Sequence, residues 1–355
     1  MDLSKLVWFL FTFCLYLASA LISKSQDGLR GRRVAFKTYW NIPSFQCARY
    51  NLGFDHLTRR YNIIQNKDDQ FRGNEISILY DPGVFPAILN NGTQTILRNG
   101  GVPQEGNISW HLNTFAKHLQ ELIPIEKFSG VGIIDFESWR PVYRQNFGTL
   151  TPYKDLSVQI EKQKHPLWSN PQIQGEAKRR FEENARSYMR QTLFLAQKMR
   201  PNATWGYYAY PYCFNMNTNN HLKDCPAEVP PENDGIRWLF RATDNLNPSV
   251  YLRENGFTAT QRKELINGRI KEAQRIMSTL RDNKNRSLIP YFTLQYPDTS
   301  QFLSKVDIEN SIDVFKTKQV DGVIIWGSSN HVNTEAKCKS LYHYVDTVFG
   351  PALSK

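Results

Sequence analysis

The chain has 355 residues, a net charge of +11 and 13% aromatic residues. A balance this basic points to an anionic partner, whether polysaccharide, nucleic acid or membrane surface, and charge alone does not choose among them. No repeat or low-complexity segment interrupts the sequence and no apolar run reaches the ~20 residues of a membrane span, which excludes a repeat array and an integral membrane protein.

Residues 6–18 are almost wholly apolar and lead into Ala18-Ser19-Ala20, small residues at the spacing a signal peptidase needs. Residues 1–20 are therefore expected to be a secretory signal, with residues 21–355 forming a secreted, extracellular protein that has no membrane anchor. Cys14 falls inside the signal, leaving Cys47, Cys213, Cys225 and Cys338. In a secreted chain these read as two disulfides, with three pairings open. They are widely scattered and contain no C-x-x-C pair, which argues against a zinc site. Asn91, Asn107, Asn202 and Asn285 each begin an Asn-X-Ser/Thr sequon and are candidate glycan sites.

Beyond the signal, strand-like and helix-like segments alternate. Strands are expected at 34–40, 76–80, 130–137, 205–210, 249–252, 288–294 and 322–326. Amphipathic helices are expected at 111–122, 174–199, 260–281, 305–318 and 334–349, from apolar spacing at i, i+3 and i+4 with charges outward. The proline-rich stretch 226–234 reads as a loop. Strand–helix alternation over this length gives an α/β protein, a single (β/α) barrel of about seven parallel strands with distorted TIM-like architecture.

The third strand carries the sharpest chemistry. Phe128 to Phe147 reads FSGVGIIDFESWRPVYRQNF, a buried apolar run that delivers Asp135 and Glu137 two positions apart, hence on one face. Two carboxylates that close repel when both are charged, so one retains its proton to higher pH, as a general acid must. A lone D-x-E is more often a solvated edge; the apolar run before it and the nearby Arg140 and Arg144 set this one apart. In a barrel the chemistry sits at the carboxyl ends of the strands. Here those ends supply Tyr39 and Trp40, Tyr80 and Asp81, Asp135 and Glu137, Tyr208 and Tyr210, Tyr251 and Arg253, and Trp326 with Ser328 and Ser329. Each aromatic alone would be a core residue, but their recurrence at one rim suits a cleft for sugar rings. His111, His118, His165, His331 and His343 do not group as ligands and read as surface or helix residues.

The same stretches carry a resemblance. GVGIIDFESWRPVYRQN, YWN (39–41), YDPG (80–83), RNGGVPQ (98–104), WGYYAYPYC (205–213), SVYLR (249–253) and DGVIIWGSS (321–329) together resemble the animal hyaluronidases, in particular the insect venom and salivary branch. The resemblance covers about 39–351 and implies a retaining endo-β-N-acetylhexosaminidase that cleaves hyaluronan, without metal or cofactor. Glu137 would be the proton donor, with Asp135 and Tyr208 orienting a substrate acetamido group that acts as the nucleophile. Tyr80, Tyr251, Trp326 and Ser328 would line the sugar site, and Arg140 and Arg269 would meet glucuronate carboxylates. It also implies the pairings Cys47–Cys338 and Cys213–Cys225. The expected partner is hyaluronan, met by a monomer, and nucleic-acid binding has only charge behind it. Thr293, Leu294 and Pro297 depart from the family pattern in the sixth strand, as does Phe147 further up the chain, and the sixth-strand changes keep a non-catalytic glycan-binding relative as the alternative.

Overall fold

Among the described residues seven staves, most of them apolar, run parallel around a barrel, and their alternation of inward and outward residues decides what reaches its mouth. The computed structural model describes residues 36–90 and 92–354. The expected signal, the start of the first strand at 34–35 and Asn91 lie outside the described residues. The strands are β1 (Lys37–Asn41), β2 (Ile63–Ile64), β3 (Ile76–Tyr80), β4 (Ala87–Asn90), β5 (Thr95–Arg98), β6 (Val131–Asp135), β7 (Thr204–Tyr207), β8 (Asn245–Leu246), β9 (Ser287–Leu288), β10 (Tyr291–Thr293) and β11 (Gly322–Trp326).

Parallel pairing joins β3, β6 and β7, then β8 with β9, then β10, β11, β1 and the stub β2. Single parallel bridges, Tyr208 to Asn247 and Ser249 to Tyr291, link these sheets in order around the barrel. Between β2 and β3 the buried Asn66 side chain carries the seam, accepting from the Glu75 and Ile76 amides and donating to the Ile76 carbonyl. β4 and β5 form an antiparallel hairpin outside the barrel.

The barrel interior is a small apolar layer of Tyr39, Ile76, Ile78, Val131, Ile133, Ile289, Tyr291 and Ile324. A larger cluster fills the space between strands and outer helices, with Ile134, Phe136, Trp139, Phe181 and Trp205 among its members. Gly206 is required where it stands, since a Cβ there would meet the Asn245 side-chain oxygen at 1.9 Å.

Six of the seven expected strands lie where the sequence places them, while the 249–252 stave runs instead from Asn245 to a bridge at Ser249. Asn245, Asn247 and Pro248 have poor strand propensity, and pairing in the barrel overrides it. The 288–294 strand is broken between β9 and β10, where Pro290 cannot donate to the ladder. The stretch expected to be a loop at 226–234 contains the Val229–Gly235 helix, because Pro230 and Pro231 fall in its first turn, where no amide partner is lost. A whole helix, Thr151–Lys164, escapes the apolar pattern because its buried face holds Ser157 and Glu161, bonded to Gln104 and Arg180. The final expected helix is α-helical over Glu335–Tyr344 and continues as a π-helical turn, Val345–Phe349.

Both disulfides form as the resemblance implies. Cys47–Cys338 ties the segment after β1 to the Glu335–Tyr344 helix, and Cys213–Cys225 closes the loop after β7.

Candidate active site

Strand parity explains why the functional side chains converge. Ile76 and Ile78 face the barrel interior, so Tyr80 does too; Val131 and Ile133 place Asp135 in the same inward row, and Ile324 places Trp326 there. Gly206 and Tyr208 continue the pattern on β7. Tyr80 is the direct register partner of Asp135. Glu137 follows two residues later at the exposed lip of the barrel, and the intervening Phe136 packs outward on Phe85 at 4.0 Å.

A row of rings crosses the mouth. Tyr208 and Tyr251 lie 6.2 Å apart, Tyr251 stacks on Trp326 at 6.0 Å, the Trp326 indole donates to the Tyr80 hydroxyl at 2.7 Å, and Tyr80 stacks on Phe71 at 6.1 Å. At one end a cavity of about 190 Å³ is lined by Glu137, Arg140, Tyr208, Tyr212, Ser249 and Arg269. At the other, about 460 Å³ opens between Phe45, Phe71, Arg72, Tyr80, Trp326 and Ser328. A larger cavity, about 680 Å³, lies beyond Ser328 against Lys337 and His343; it holds no carboxylate, so volume alone does not mark the chemistry.

The two acids are held away from their ordinary protonation. Burial pushes the Asp135 carboxyl up to about 8, with the neighbouring charges of Glu137 and Asp81 adding to the effect. Desolvation also raises Glu137, and the Arg140 guanidinium opposes that rise. The pair therefore retains a proton near neutrality, held chiefly by the more enclosed Asp135. Tyr208 stays a neutral phenol, raised by burial and by Glu137, with hydrogen bonds to Ser249 and Tyr251.

The arginines are fixed before any ligand arrives. Arg140 sits over Tyr212 at 4.6 Å, Phe214 at 5.2 Å and Phe147 at 5.4 Å, and donates to the Gln145 carbonyl. Arg269 donates to the Ser249 carbonyl at 2.6 Å and to Asn215, and burial lowers it to about 10. Both line the Glu137 cavity. Phe147, read from the sequence only as a departure, is one wall of the cage around Arg140.

Other strand-end residues do not reach the mouth. Trp40 and Tyr210 are buried, Trp40 donating to Ser44, and Arg253 pairs with Asp298. Thr293 and Leu294 are buried beneath the groove, Leu294 within the larger core cluster. His111 is fully buried, with Nδ1 accepting from Val84 and Nε2 bonded to Thr192, and desolvation lowers it to about 3. Together with His118, which accepts from the Gly83 amide, it holds the loop that follows β3. Phe71, Arg72, Tyr212 and Phe214 escaped the sequence reading because they lie in irregular segments without strand periodicity. Tyr291 was hidden as an ordinary strand tyrosine; it is fully buried in the barrel interior, where desolvation first and the Asp135 charge second disfavour its ionisation. Asn107, Asn202 and Asn285 are exposed, Asn107 capping the Ile108–Leu122 helix. Among the described residues no group of three or more His, Cys, Asp or Glu side chains is placed to hold a metal ion, and no helix is long and apolar enough to cross a membrane.

Known proteins resemble this chain in sequence and in fold. The chain is 46% identical over 322 residues to the hyaluronidase of Apis mellifera, covering 90% of this chain and 84% of that one. It is 41% identical over 325 residues to a hyaluronidase of Tabanus yao, covering 90% and 92%. The crystal structure of bee venom hyaluronidase in complex with a hyaluronic acid tetramer superposes with a TM-score of 0.88 at 46% identity, over 90% of this chain and 99% of that one. A family model described as hyaluronidase matches residues 29–355, and the chain belongs to that family of glycoside hydrolases.

Proposed function

We propose that this protein is a secreted hyaluronidase, an endo-β-N-acetylhexosaminidase that cuts the β-1,4 linkages of hyaluronan with retention through substrate-assisted catalysis. The observation that carries the reading is the Asp135–Glu137 pair, two carboxyls with raised proton affinity at one barrel mouth beside a row of partly buried rings. Ordinary retaining glycosidases set two carboxylates about 5 Å apart on either side of the bond. Carboxyls from one strand stand on the same side of the sugar, which suits a substrate that supplies its own nucleophile.

In this mechanism Glu137 gives its proton to the glycosidic oxygen while the acetamido carbonyl oxygen attacks the anomeric carbon. Asp135 accepts from the acetamido N–H, and the Tyr208 hydroxyl holds the same group in line. As the amide N–H approaches, the shared proton is drawn from Asp135 to Glu137, where the reaction needs it. Water then attacks the anomeric carbon and opens the cyclic intermediate, giving up a proton to Glu137, which restores the acid. Tyr251, Trp326, Tyr80 and Ser328 form the sugar platform, and Arg140 and Arg269 provide positive potential toward glucuronate.

The reading further includes a removed signal at 1–20, one catalytic domain over the remainder, action as a monomer, and glycans on the four sequons. Incubation of the secreted protein with high-molecular-weight hyaluronan tests it. Progressive shortening with new reducing ends supports hydrolysis; retention of the polymer without shortening would replace the enzyme with a glycan-binding protein.

A further inference from the structure

Asp81 lies immediately after Tyr80, the register partner of Asp135, and its amide donates to the Asp135 carbonyl at 2.7 Å. The chain turns there with Asp81 at φ +40°, in the left-handed region. Asn adopts that conformation as readily as Asp, and the amide bond belongs to the backbone. The turn therefore needs no charge at this position. A carboxylate has nevertheless been placed beside a pair of acids that already repel each other.

Arg98, at the end of β5, grips that carboxylate with both terminal nitrogens, at 2.5 and 2.9 Å, while its Nε donates to the Phe85 carbonyl at 2.8 Å. This is a bidentate fork on a half-buried guanidinium, a geometry lysine does not reproduce. His111 and His118 accept from the Val84 and Gly83 amides and so hold the backbone that follows Asp81.

We propose that Asp81 and Arg98 are a positioning pair that decides where the shared proton of Asp135 and Glu137 resides: Asp81 directs it onto Asp135, and Arg98 limits how firmly it is held there. The proposal rests on the catalytic reading above and concerns residues that line neither cavity of the groove. The other groups coupled to Asp135 are Glu137 from its own segment, Tyr80 from β3, Tyr212 after β7, Tyr251 after the Ser249 bridge, and Tyr291 in β10, while Arg140 and Tyr208 meet the pair at Glu137. The tyrosines are all raised, and therefore neutral across the working range. Among the described residues, Asp81 is thus the anion outside the pair that acts on Asp135, which the direction of the Asp135 shift supports.

The test reads opposite signs from two variants. Asp81→Asn should lower the Asp135 midpoint by roughly 0.5 to 1 pH unit, and Arg98→Met should raise it by a similar amount. Arg98→Lys should fall between Arg98→Met and the unmodified protein. The midpoint is read twice: from the alkaline limb of kcat/KM on hyaluronan, and from the 13C carboxyl shift of labelled aspartate, with the Asp135 signal assigned by its loss in Asp135→Asn. A shift in the carboxyl signal without any hydrolysis would sustain the pair and overturn the catalytic reading. Movement of both variants in the same direction, or none in Asp81→Asn, would overturn the pair. Should Arg98→Met fail to fold, Asp81→Asn alone decides.

Discussion

The Trp326 indole N–H bonds to the Tyr80 hydroxyl at 2.7 Å, joining the ends of β11 and β3 across the barrel mouth. The bond holds both rings in the row that includes Tyr251 and Tyr208, so that a sugar meets a preformed surface. Removing the hydroxyl in Tyr80→Phe loses a hydrogen bond with a net worth of about 0.5–1.5 kcal/mol. KM for hyaluronan should rise about 2- to 10-fold with kcat nearly unchanged, because the bond positions substrate and does not act on the reacting atoms. Steady-state kinetics on size-defined hyaluronan check this; an equal fall in kcat would assign Tyr80 to the chemistry instead.

Asp135 should be kept at a cost in stability. Its carboxyl titrates near 3.8 when unfolded and is pushed up to about 8 when folded. Between those values the folded state binds more protons than the unfolded one, so this group's contribution to stability falls as pH rises from about 4 to 8. Asp135→Asn carries no such penalty. It should lose at least 100-fold in kcat, yet unfold at a higher temperature than the unmodified protein, with the gain growing from pH 4 to pH 8. Thermal unfolding at pH 4, 6 and 8 measures the trend; a lower melting temperature at pH 8 would contradict the assigned proton affinity.

The Cys213–Cys225 loop holds more than itself. Tyr212 and Phe214, flanking Cys213, are two walls of the cage around Arg140, which in turn keeps Glu137 from rising further. Replacing both cysteines with serine should cost roughly 3 kcal/mol, as chain entropy gives for so short a loop. If the cage loosens, Glu137 loses its cationic neighbour and activity should extend to higher pH. Denaturant unfolding gives the first quantity and the pH profile the second; unchanged profiles would show that the cage stands without the disulfide.

Much of this was legible from residue order, for a definite reason. Strands buried on both faces leave long apolar runs, so β1, β3, β6 and β11 declared themselves, and parity then fixed that Tyr80, Asp135 and Trp326 face inward. The stave at Asn245 was hidden because its side chains are polar and serve the barrel through hydrogen bonds, as Asn247 does to the Ile289 carbonyl. The Thr151–Lys164 helix was hidden for the same cause, a buried face made of Ser157 and Glu161. Phe71 and Arg72 reach the groove through the irregular stretch between β2 and β3, where no periodicity reports direction. The fate of Asp81 could not be read at all, since its consequence depends on Arg98 from a hairpin seventeen residues away.

The role of Glu137 as proton donor is tested most directly by Glu137→Gln, which keeps the shape and removes the transferable proton. Kinetics on hyaluronan and thermal unfolding should be measured on the same preparation. Depolymerisation should fall by at least about 100-fold with the melting temperature unchanged or raised. Hydrolysis at the unmodified rate from a folded Glu137→Gln protein would contradict the assignment of Glu137 as the acid.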